Sequence, residues 1–451
     1  MEWARLLSRQ RLGQDEASER ESARTPFQRD HDRLQFSGAV RCLVDKTQVF
    51  PMPDDDHVHS RLTHSLEAAA VGRSLGNLVG YDRVRVDPAL ATAGLEARDV
   101  GDIVASACLA HDIGNPPFGH AGEEAIARWF RERRGRMGAL LPGFALDEAL
   151  WAEFENFEGN AQGFRLLVSD RDGTEGGMRL TCATLAAFSK YPCILSNDDQ
   201  PRPYRKHGVF RHERPALEEV AASTGLQPLG DGAWCRHPLA YLVEAADDIC
   251  YSVVDVEDGY RLGYLSFAET RAALLPLASR NPAGRLDRHH GLETRAPAAY
   301  VAVLRAYAIN ALMLGAHEVF GRGHDRLLAG EPVPPLLEQV ELRGELKQLR
   351  SLGFARCYRA PEVVAVELTG FNVLAGLLDV LVPAVLDRRP SRYLDKVRQA
   401  FPQLEEHGDA YAGLLHATDL VSSMTDSRAL SIYRRVLGME LPGGRRGLGT
   451  L

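Results

Sequence analysis

The chain has 451 residues, of which 45% are hydrophobic and 25% are charged. This is enough for a sizeable core, and the length admits one large domain or two to three ordinary ones. The formal net charge of -8 argues against a protein that coats nucleic acid through a uniformly basic surface. The seven cysteines form no C-x-x-C pair. We therefore expect reduced thiols in a cytoplasmic protein, not a disulfide framework or a zinc ribbon.

The two ends of the chain differ in composition from the rest. Residues 1–24 are charged and poor in apolar side chains, which predicts a disordered or frayed N-terminus. Residues 439–451 are rich in glycine and predict a flexible tail. Between them, residues 25–438 predict a single domain. We expect neither export nor a membrane span, because no apolar signal core begins the chain and no run of 18 apolar residues occurs.

Helical periodicity dominates the predicted domain. Apolar residues at helical spacing predict long helices over residues 60–80, 101–114, 237–260 and 361–386. Ser60 is a suitable N-cap for the first of these helices. The last helix is predicted either as a pair or as one helix bent around Gly370. The sequence thus predicts an all-α fold, a helical bundle with helical and loop insertions.

A few segments depart from this pattern. Strand-like runs are short and occur near residues 41–50 and 207–212. The segments 131–150 and 194–236 are rich in glycine, proline and charge, which predicts loops or insertions on the helical body. The run DDDHVH (54–59) resembles a metal cluster, but it directly precedes a helix and is interpreted as a solvated loop. A Walker phosphate-binding loop is absent from the sequence.

The stretch LAHDIGNPPFGHAGEEA (109–125) predicts a helix, a tight loop and a second helix. Glycine and the Pro-Pro pair disrupt helices, so the first helix ends near Gly114. His111 and Asp112 then lie at the last turn of that helix, where both side chains can lean toward one point. Imidazole nitrogen and carboxylate oxygen together suit Mn, Fe, Ni, Zn or Mg.

A metal needs more than two ligands, and two other helices offer them. His64 lies on the earlier helix and Asp247 on the later one, each within a run of apolar residues. A His-Asp dipeptide alone is usually an ordinary polar pair. Four such ligands on three buried helices instead predict a metal cavity in the centre of a bundle, because a buried carboxylate without a partner is costly.

The chain resembles a known family. The motifs RLTH (61–64), AHDIGNPPFGHAGEEAI (110–126), FEGNAQ (157–162) and EAADDICYSVVDVEDG (244–259) are similar to those of the HD-domain deoxynucleoside triphosphate triphosphohydrolases, the bacterial dGTPase group. Further similar blocks cover residues 25–50, 180–192 and 421–438. Two positions depart from the family pattern: Cys42 replaces a second arginine, and Ser423 replaces a glycine.

This resemblance implies a reaction and its machinery. The family cleaves the bond between the α-phosphate and the 5′ oxygen, releasing a deoxynucleoside and intact triphosphate. By resemblance, His64, His111, Asp112 and Asp247 hold the metal, expected to be Mn or Mg, with Co, Ni or Fe as alternatives. His120 and Glu123, at i and i+3 on one helix face, are implied as the catalytic proton-transfer pair.

Other residues are candidates for substrate binding. Asp247, Tyr251 and Asp255 repeat every four residues and form one helix stripe. By resemblance, the Tyr251 ring packs on the sugar and excludes a 2′-hydroxyl, while Asp255 binds the 3′-hydroxyl or a nearby cation. The phosphate-binding candidates are Arg41, Lys46, Arg61 and Lys206. Asn160 and Gln162 are expected to orient metal ligands or contact the nucleotide.

The expected substrate is a dNTP, with dGTP favoured. The resemblance also implies a homo-oligomer, expected as a hexamer, and admits a dNTP or single-stranded DNA effector. Two alternatives stay open at this point. One is an HD phosphohydrolase acting on nucleoside monophosphates or cyclic nucleotides, and the other is a catalytically silent nucleotide- or ssDNA-binding regulator.

Overall fold

The structure of the chain is a computed structural model. It describes residues 1–14, 23–50, 57–84, 87–140, 146–169, 176–195, 204–282, 284–289, 291–387, 389–404 and 409–439. The predicted flexible tail therefore lies outside the described residues, apart from Met439.

The architecture is all-α, as the helical periodicity predicts. Its α-helices, in chain order, are α1 (Trp3–Leu6), α2 (Pro26–Gln35), α3 (Gly38–Cys42), α4 (Arg61–Val79), α5 (Pro88–Thr92), α6 (Ala97–Ala110), α7 (Gly119–Leu140), α8 (Glu148–Glu155), α9 (Gly159–Val168), α10 (Cys182–Phe188), α11 (Arg214–Thr224), α12 (Pro238–Arg261), α13 (Phe267–Ala278), α14 (Leu292–Arg295), α15 (Pro297–Leu328), α16 (Arg343–Arg356), α17 (Pro361–Leu386), α18 (Arg392–Ala400), α19 (Ala410–Ser422) and α20 (Asp426–Val436).

Short irregular elements join these helices. They are 3₁₀ turns at Leu43–Asp45, Arg211–Glu213, Leu286–His289 and Leu336–Glu338, and a π-helical turn at Gly80–Val84. The described residues also include a small antiparallel pair of strands, β1 (Pro228–Gly230) and β2 (Ala233–Trp234).

Helices α4 and α6 pack against each other closely enough to bring their functional side chains together. Ser60 caps α4 as predicted, and it exchanges bonds with Thr63 in a capping box. A Cβ atom on Gly76 of α4 would lie 2.7 Å from the Cα of Gly101 on α6. The two backbones therefore touch directly, and a larger side chain at either position would force the helices apart.

The buried apolar residues form two clusters. The larger cluster includes residues of α4, α6, α12 and α15, and the smaller one includes residues of α7, α17 and α19. The loop from His111 to Gly119 runs between them, because Ile113 belongs to the larger cluster and Phe118 packs against the smaller one. This loop is the part of the molecule that carries the predicted chemistry.

The structure corrects several sequence-based expectations. The N-terminus is not frayed over residues 1–14, where Trp3, Leu6 and Leu7 are buried; residues 15–22 lie outside the described part. The strand-like runs near 41–50 and 207–212 form turns and short helical segments, apart from an isolated antiparallel bridge between Thr47 and Ser60. Helix α7 continues into the predicted loop segment, to Leu140.

The predicted helix at 361–386 is a single element. Helix α17 runs without interruption through Gly370, where a Cβ would lie 2.8 Å from the Cβ of Phe118. The glycine therefore makes room for Phe118.

Two described helices are long and apolar enough to cross a membrane by length and composition alone, α15 and α17. Both pack within the helical body: α15 contacts α12 and α13, and α17 contacts α7 and α19. Core helices commonly pass the same composition test.

Candidate metal and catalytic site

Three helices bring the predicted metal ligands together. His64 lies on the first turn of α4, His111 caps the C-terminal end of α6, and Asp247 lies in the middle of α12. The Nε2 atom of His64 is 2.9 Å from Oδ1 of Asp247, and Nε2 of His111 is 3.4 Å from the same oxygen. One donor atom from each residue lies within 4.8 Å of the other two. This spacing is short enough for a single ion to be shared.

The tautomer of His111 suits a ligand. Its Nδ1 atom lies 2.6 Å from the carbonyl oxygen of Cys108, so the N–H on that side is engaged and Nε2 faces the group. Burial lowers the pKa of His111, but the negative charges of Asp112 and Asp247 have the larger effect and raise this pKa to about 9. Burial opposes the charge on the partly exposed Asp247, but the imidazoles of His111 and His64 outweigh this effect and hold the pKa of Asp247 well below its usual range. The cluster is thus a set of mutually attracting charges around one point.

Asp112 lies beside this group but is engaged elsewhere. Its Oδ1 is 3.5 Å from Nε2 of His111, and it accepts a hydrogen bond from the side chain of Asn115. Its Oδ2 accepts from Nη1 of Arg61 at 2.9 Å. Three of the four predicted ligands therefore form a compact group, and Arg61 and Asn115 orient the fourth.

The predicted catalytic pair is in contact. Nδ1 of His120 lies 2.6 Å from Oε2 of Glu123, and the other carboxylate oxygen accepts from the backbone N–H of Gly159 at 2.7 Å. The bond to Glu123 raises the pKa of His120. Burial opposes the charge on Glu123, but the bond from His120 outweighs it and the pKa of Glu123 is lowered. The carboxylate thus fixes the imidazole through Nδ1, and His120 lines the cavity.

One cavity of about 520 Å³ joins these groups. Among the predicted residues, its lining includes His111, Asp112, His120, Glu123, Asp247, Arg61, Asn160, Lys206 and Tyr251. Arg61 is only 5% exposed, and its Nε atom has no hydrogen-bond partner among the described residues. Lys206 donates to Glu158 at 2.8 Å. Two cationic side chains on the lining of one cavity, next to a metal-ligand group, suit an anion such as a phosphate.

Paired tyrosines form part of the cavity wall. The ring of Tyr251 stacks on Tyr358, with the ring centroids 5.7 Å apart and the planes 11° from parallel. The hydroxyl of Tyr358 donates to Asp255. Burial raises the pKa of Asp255 to about 8. Asp255 is not among the residues that line the cavity and accepts from Tyr358, whereas the sequence predicts a bond from Asp255 to the 3′-hydroxyl or to a nearby cation.

The structure places three further predicted substrate-binding residues away from the cavity lining. Arg41 is exposed and donates to the carbonyl of Phe36. Lys46 is buried and donates to two backbone carbonyls, at Asn115 and Ser422. Gln162 is buried and donates to Asp419. The sequence prediction grouped these side chains by residue type. The packing of the chain decides which atoms each side chain can contact.

The interpretation of DDDHVH as a solvated loop is wrong for its last residue. Nδ1 of His59 lies 2.9 Å from both carboxylate oxygens of Asp258, and its Nε2 is 3.2 Å from Glu67. His59 therefore bridges the start of α4 to α12, the two helices that carry His64 and Asp247. Residues 54–56 lie outside the described part.

Comparison with known proteins agrees with this geometry. Residues 61–158 match the HD domain, and residues 339–435 match the phosphohydrolase-associated domain. A protein of Synechocystis sp. named deoxyguanosinetriphosphate triphosphohydrolase-like protein is 40% identical over 98% of this chain and 100% of its own length. A relative of the same name in Listeria monocytogenes is 30% identical over the same shares. A Yersinia enterocolitica protein named deoxyguanosinetriphosphate triphosphohydrolase is 28% identical over 92% of this chain and 94% of its own.

The chain belongs to the deoxyguanosinetriphosphate triphosphohydrolase-like family. It is accordingly an HD-domain hydrolase, and the group formed by His64, His111 and Asp247 is compatible with the divalent metal that HD hydrolases bind. The HD match contains His64, the His111–Asp112 pair and the His120–Glu123 pair, while Asp247 comes from outside it.

Sequence reasoning missed several residues that shape this family member's site. Tyr358, Lys190 and Glu244 all line the cavity. Lys190 lies 3.3 Å from Glu244, which also pairs with Arg236 at 3.0 Å. Lys190 lies in a block that resembles the family, which is the one signal that pointed to it. No motif in the sequence analysis includes Tyr358, and its hydrogen-bond partner Asp255 lies 103 positions earlier in the chain.

Proposed function

We propose that this protein hydrolyses deoxynucleoside triphosphates, with dGTP favoured, to a deoxynucleoside and tripolyphosphate. One observation carries the proposal: a single cavity is lined by His111 and Asp247 of the metal-ligand group, by the His120–Glu123 pair and by the stacked tyrosines, and His64 bonds to Asp247. Each of these serves a different part of a dNTP, namely the α-phosphate, the scissile bond and the sugar. Two relatives that are named for dGTP hydrolysis match this chain over 100% and 94% of their own lengths, and their names support the choice of substrate.

His64, His111 and Asp247, with Asp112 beside them, would hold a divalent ion, and we favour Mn or Mg over Co, Ni or Fe. Nitrogen and oxygen donors of this mixture suit these metals. Such an ion supplies Lewis-acid activation of a phosphoryl oxygen and lowers the pKa of water.

Arg61 and Lys206 are proposed to bind the triphosphate. Arg61 lines the cavity, where its positive charge can attract a phosphate while its Nη1 keeps the bond to Asp112. Lys206 supplies a point charge on the cavity wall. Asn160 is proposed to contribute a hydrogen bond from the same lining.

His120 is proposed to move the proton that the reaction requires. Hydrolysis joins a water oxygen to the α-phosphorus and breaks its bond to the 5′ oxygen, so one proton leaves the water and one reaches the departing alcohol. With Nδ1 held by Glu123, Nε2 is the atom of His120 left for this transfer. Proton transfer by a positioned side chain typically accelerates a reaction by about 10²–10⁴-fold.

Tyr251 is proposed to select deoxyribose. Its ring is held flat against Tyr358, whose hydroxyl is fixed by Asp255. A rigid aromatic wall against the sugar leaves no space for an added 2′-hydroxyl, and it offers that hydroxyl no partner. Discrimination of this kind comes from sterics and lost hydrogen bonds together.

The test is a turnover screen with all four dNTPs and GTP, in Mn and in Mg, with the products separated by chromatography. Tripolyphosphate and deoxyguanosine from dGTP are the expected products. Orthophosphate as the only phosphate product would instead support the alternative hypothesis, an HD phosphohydrolase acting on nucleoside monophosphates or cyclic nucleotides. Tight nucleotide binding without turnover in any metal would support a silent regulator.

Assembly, effectors and location are part of the same proposal. We infer a homo-oligomer, expected as a hexamer, in the cytoplasm, and light scattering after size exclusion would measure its mass. Repeating the turnover screen with a second dNTP or with single-stranded DNA would detect an effector.

A further inference from the structure

The loop between the metal-binding and catalytic histidines is held by a buried lysine from outside the HD match. The Nζ atom of Lys46 donates to the carbonyl of Asn115 at 2.5 Å and to that of Ser422, at the C-terminal end of α19, at 2.7 Å. Lys46 is 2% exposed. Its ammonium group therefore ties the loop to the phosphohydrolase-associated region, which contains α19.

A buried carboxylate holds the same loop three residues further along. Oδ1 of Asp426 accepts from the backbone N–H of Phe118 at 2.9 Å. Oδ2 accepts from the backbone N–H of Thr47 at 3.0 Å and from its hydroxyl at 2.6 Å. Asp426 is 3% exposed and begins α20. These three hydrogen bonds connect the start of α20 to the loop and to the segment that follows Lys46.

Phe118, whose backbone N–H is bound by Asp426, has an energetically costly backbone conformation. Phe118 has a φ of 65°, and Gly119 follows with a φ of 60°. A side chain at positive φ is strained, and such strain persists only where surrounding contacts enforce it. The hydrogen bond to Asp426 fixes the N–H of Phe118, while the space at Gly370 receives its side chain. His120 follows directly, on the first turn of α7.

We infer that Asp426 is a positioning residue for His120. By fixing the left-handed turn at Phe118, it sets the direction in which α7 leaves the loop, and thereby the place of the His120 imidazole relative to the metal ligands. The phosphohydrolase-associated region, which also supplies Tyr358 to the cavity wall, thus helps to place the catalytic imidazole through the carboxylate of Asp426, although it supplies neither a metal ligand nor the proton-transfer pair. This inference rests on the proposed function for the role of His120, but the geometry of the turn does not.

The experiment compares Asp426→Ala, which removes both acceptors, with Asp426→Asn, which keeps one carbonyl oxygen. We expect Asp426→Ala to lower kcat for dGTP by at least about tenfold, because small misplacements of a catalytic group are costly. KM and bound metal per chain should stay within about twofold of the wild type, since the ligand group itself is unchanged. The kcat of Asp426→Asn should lie between that of the wild type and that of Asp426→Ala.

A second readout is independent of activity. Hydrogen–deuterium exchange followed by mass spectrometry should show faster exchange in peptides covering residues 111–120 of both variants. The matched control is Asp409→Asn, an exposed carboxylate that caps α19 through Tyr411 and Ala412. It should leave both kcat and exchange in the loop unchanged, because asparagine caps a helix about as well as aspartate and the bonds of Asp409 go to α19 itself.

Three results would overturn the inference: an unchanged kcat, unchanged exchange in the loop, or loss of bound metal, which would place the effect on the ligands. If Asp426→Ala does not fold, the near-isosteric Asp426→Asn provides both measurements. If the wild-type protein releases no tripolyphosphate, the proposed function fails, and the exchange experiment still decides whether Asp426 holds the loop.

Discussion

Nε2 of His64 lies 2.9 Å from Oδ1 of Asp247, although the two residues are 183 positions apart in the chain. The contact joins the first turn of α4 to the middle of α12, and His111 at the end of α6 completes the group. Three helices must hold their relative positions for this to persist. The direct contact of α4 with α6 at Gly76 and Gly101 keeps two of them together.

Replacing Asp247 should remove the metal. Asp247→Ala takes away the carboxylate that both histidines contact, and we expect stoichiometric metal in the wild type and less than about a tenth of it in the variant. Turnover should fall in parallel. Metal per chain, measured by mass spectrometry of acid-digested protein, checks this. Asp395→Asn, an exposed acid paired with Arg398, should retain full metal.

Replacing His120 should separate chemistry from metal binding. His120→Ala should lower kcat by about 10²–10⁴-fold, the usual contribution of a proton-transfer group, while leaving bound metal and the melting temperature nearly unchanged. Loss of metal in this variant would make His120 a ligand and contradict its assigned role.

The Glu123 partner should set the pH dependence of His120. The hydrogen bond to Glu123 raises the pKa of His120, so its protonated form persists to higher pH in the wild type. Glu123→Gln removes the charge that favours this form. The limb of the pH–rate profile that reports His120 should therefore move to lower pH in the variant. A limb that stays in place would show that another group titrates.

Sugar selection should depend on Tyr251. Tyr251→Ala opens the wall beside the sugar, and we expect the ratio of kcat/KM for dGTP to that for GTP to fall by at least about tenfold, in the range that one steric contact supplies. Competition between the two substrates in one reaction measures this ratio. Tyr264→Ala, on a tyrosine that stacks on Phe50 and does not line the cavity, is the control.

His59 should make stability depend on pH. Burial disfavours its charge, but hydrogen bonds to Asp258 and Glu67 outweigh this and raise its pKa to about 10, above the unfolded value of 6.5. Its contribution to the free energy of unfolding is therefore complete below pH 6.5 and is lost as pH rises through 10. The difference in unfolding free energy between the wild type and His59→Gln should be large at pH 6 and small at pH 10.5. Denaturant titrations at both values measure it, and a difference independent of pH would contradict the charge assignment.

Local pattern was sufficient for several features of the site. The periodicity around His64 and Asp247 predicted their helices, Ser60 predicted the start of α4, and Gly-Asn-Pro-Pro predicted the break before α7. These features depend on residues within a turn or two of each other, so sequence spacing captures them. Residue types on the predicted helices also suggested the joint set of ligands, and the resemblance added the reaction and the role of His120 and Glu123.

Local pattern did not predict partners that are distant in the chain. Lys46 was assigned to phosphate because of its charge, yet its ammonium group is used by the carbonyls of Asn115 and Ser422. Gln162 was assigned to the site, and its amide is used by Asp419, 257 positions away. Side-chain type limits which bonds a residue can form, but the fold decides which acceptor is within reach.

The sequence by itself determined that the chain is helical, where the chief helices lie, and which imidazoles and carboxylates are suited to a metal. Only the tertiary structure decided that Asp112 is held by Arg61, that Tyr251 stacks on Tyr358, and that Asp426 supports the turn before His120. The physical reason is that helix formation follows a short period along the chain. Hydrogen bonds and ring stacking between helices depend instead on distances that are set only when the backbones pack together.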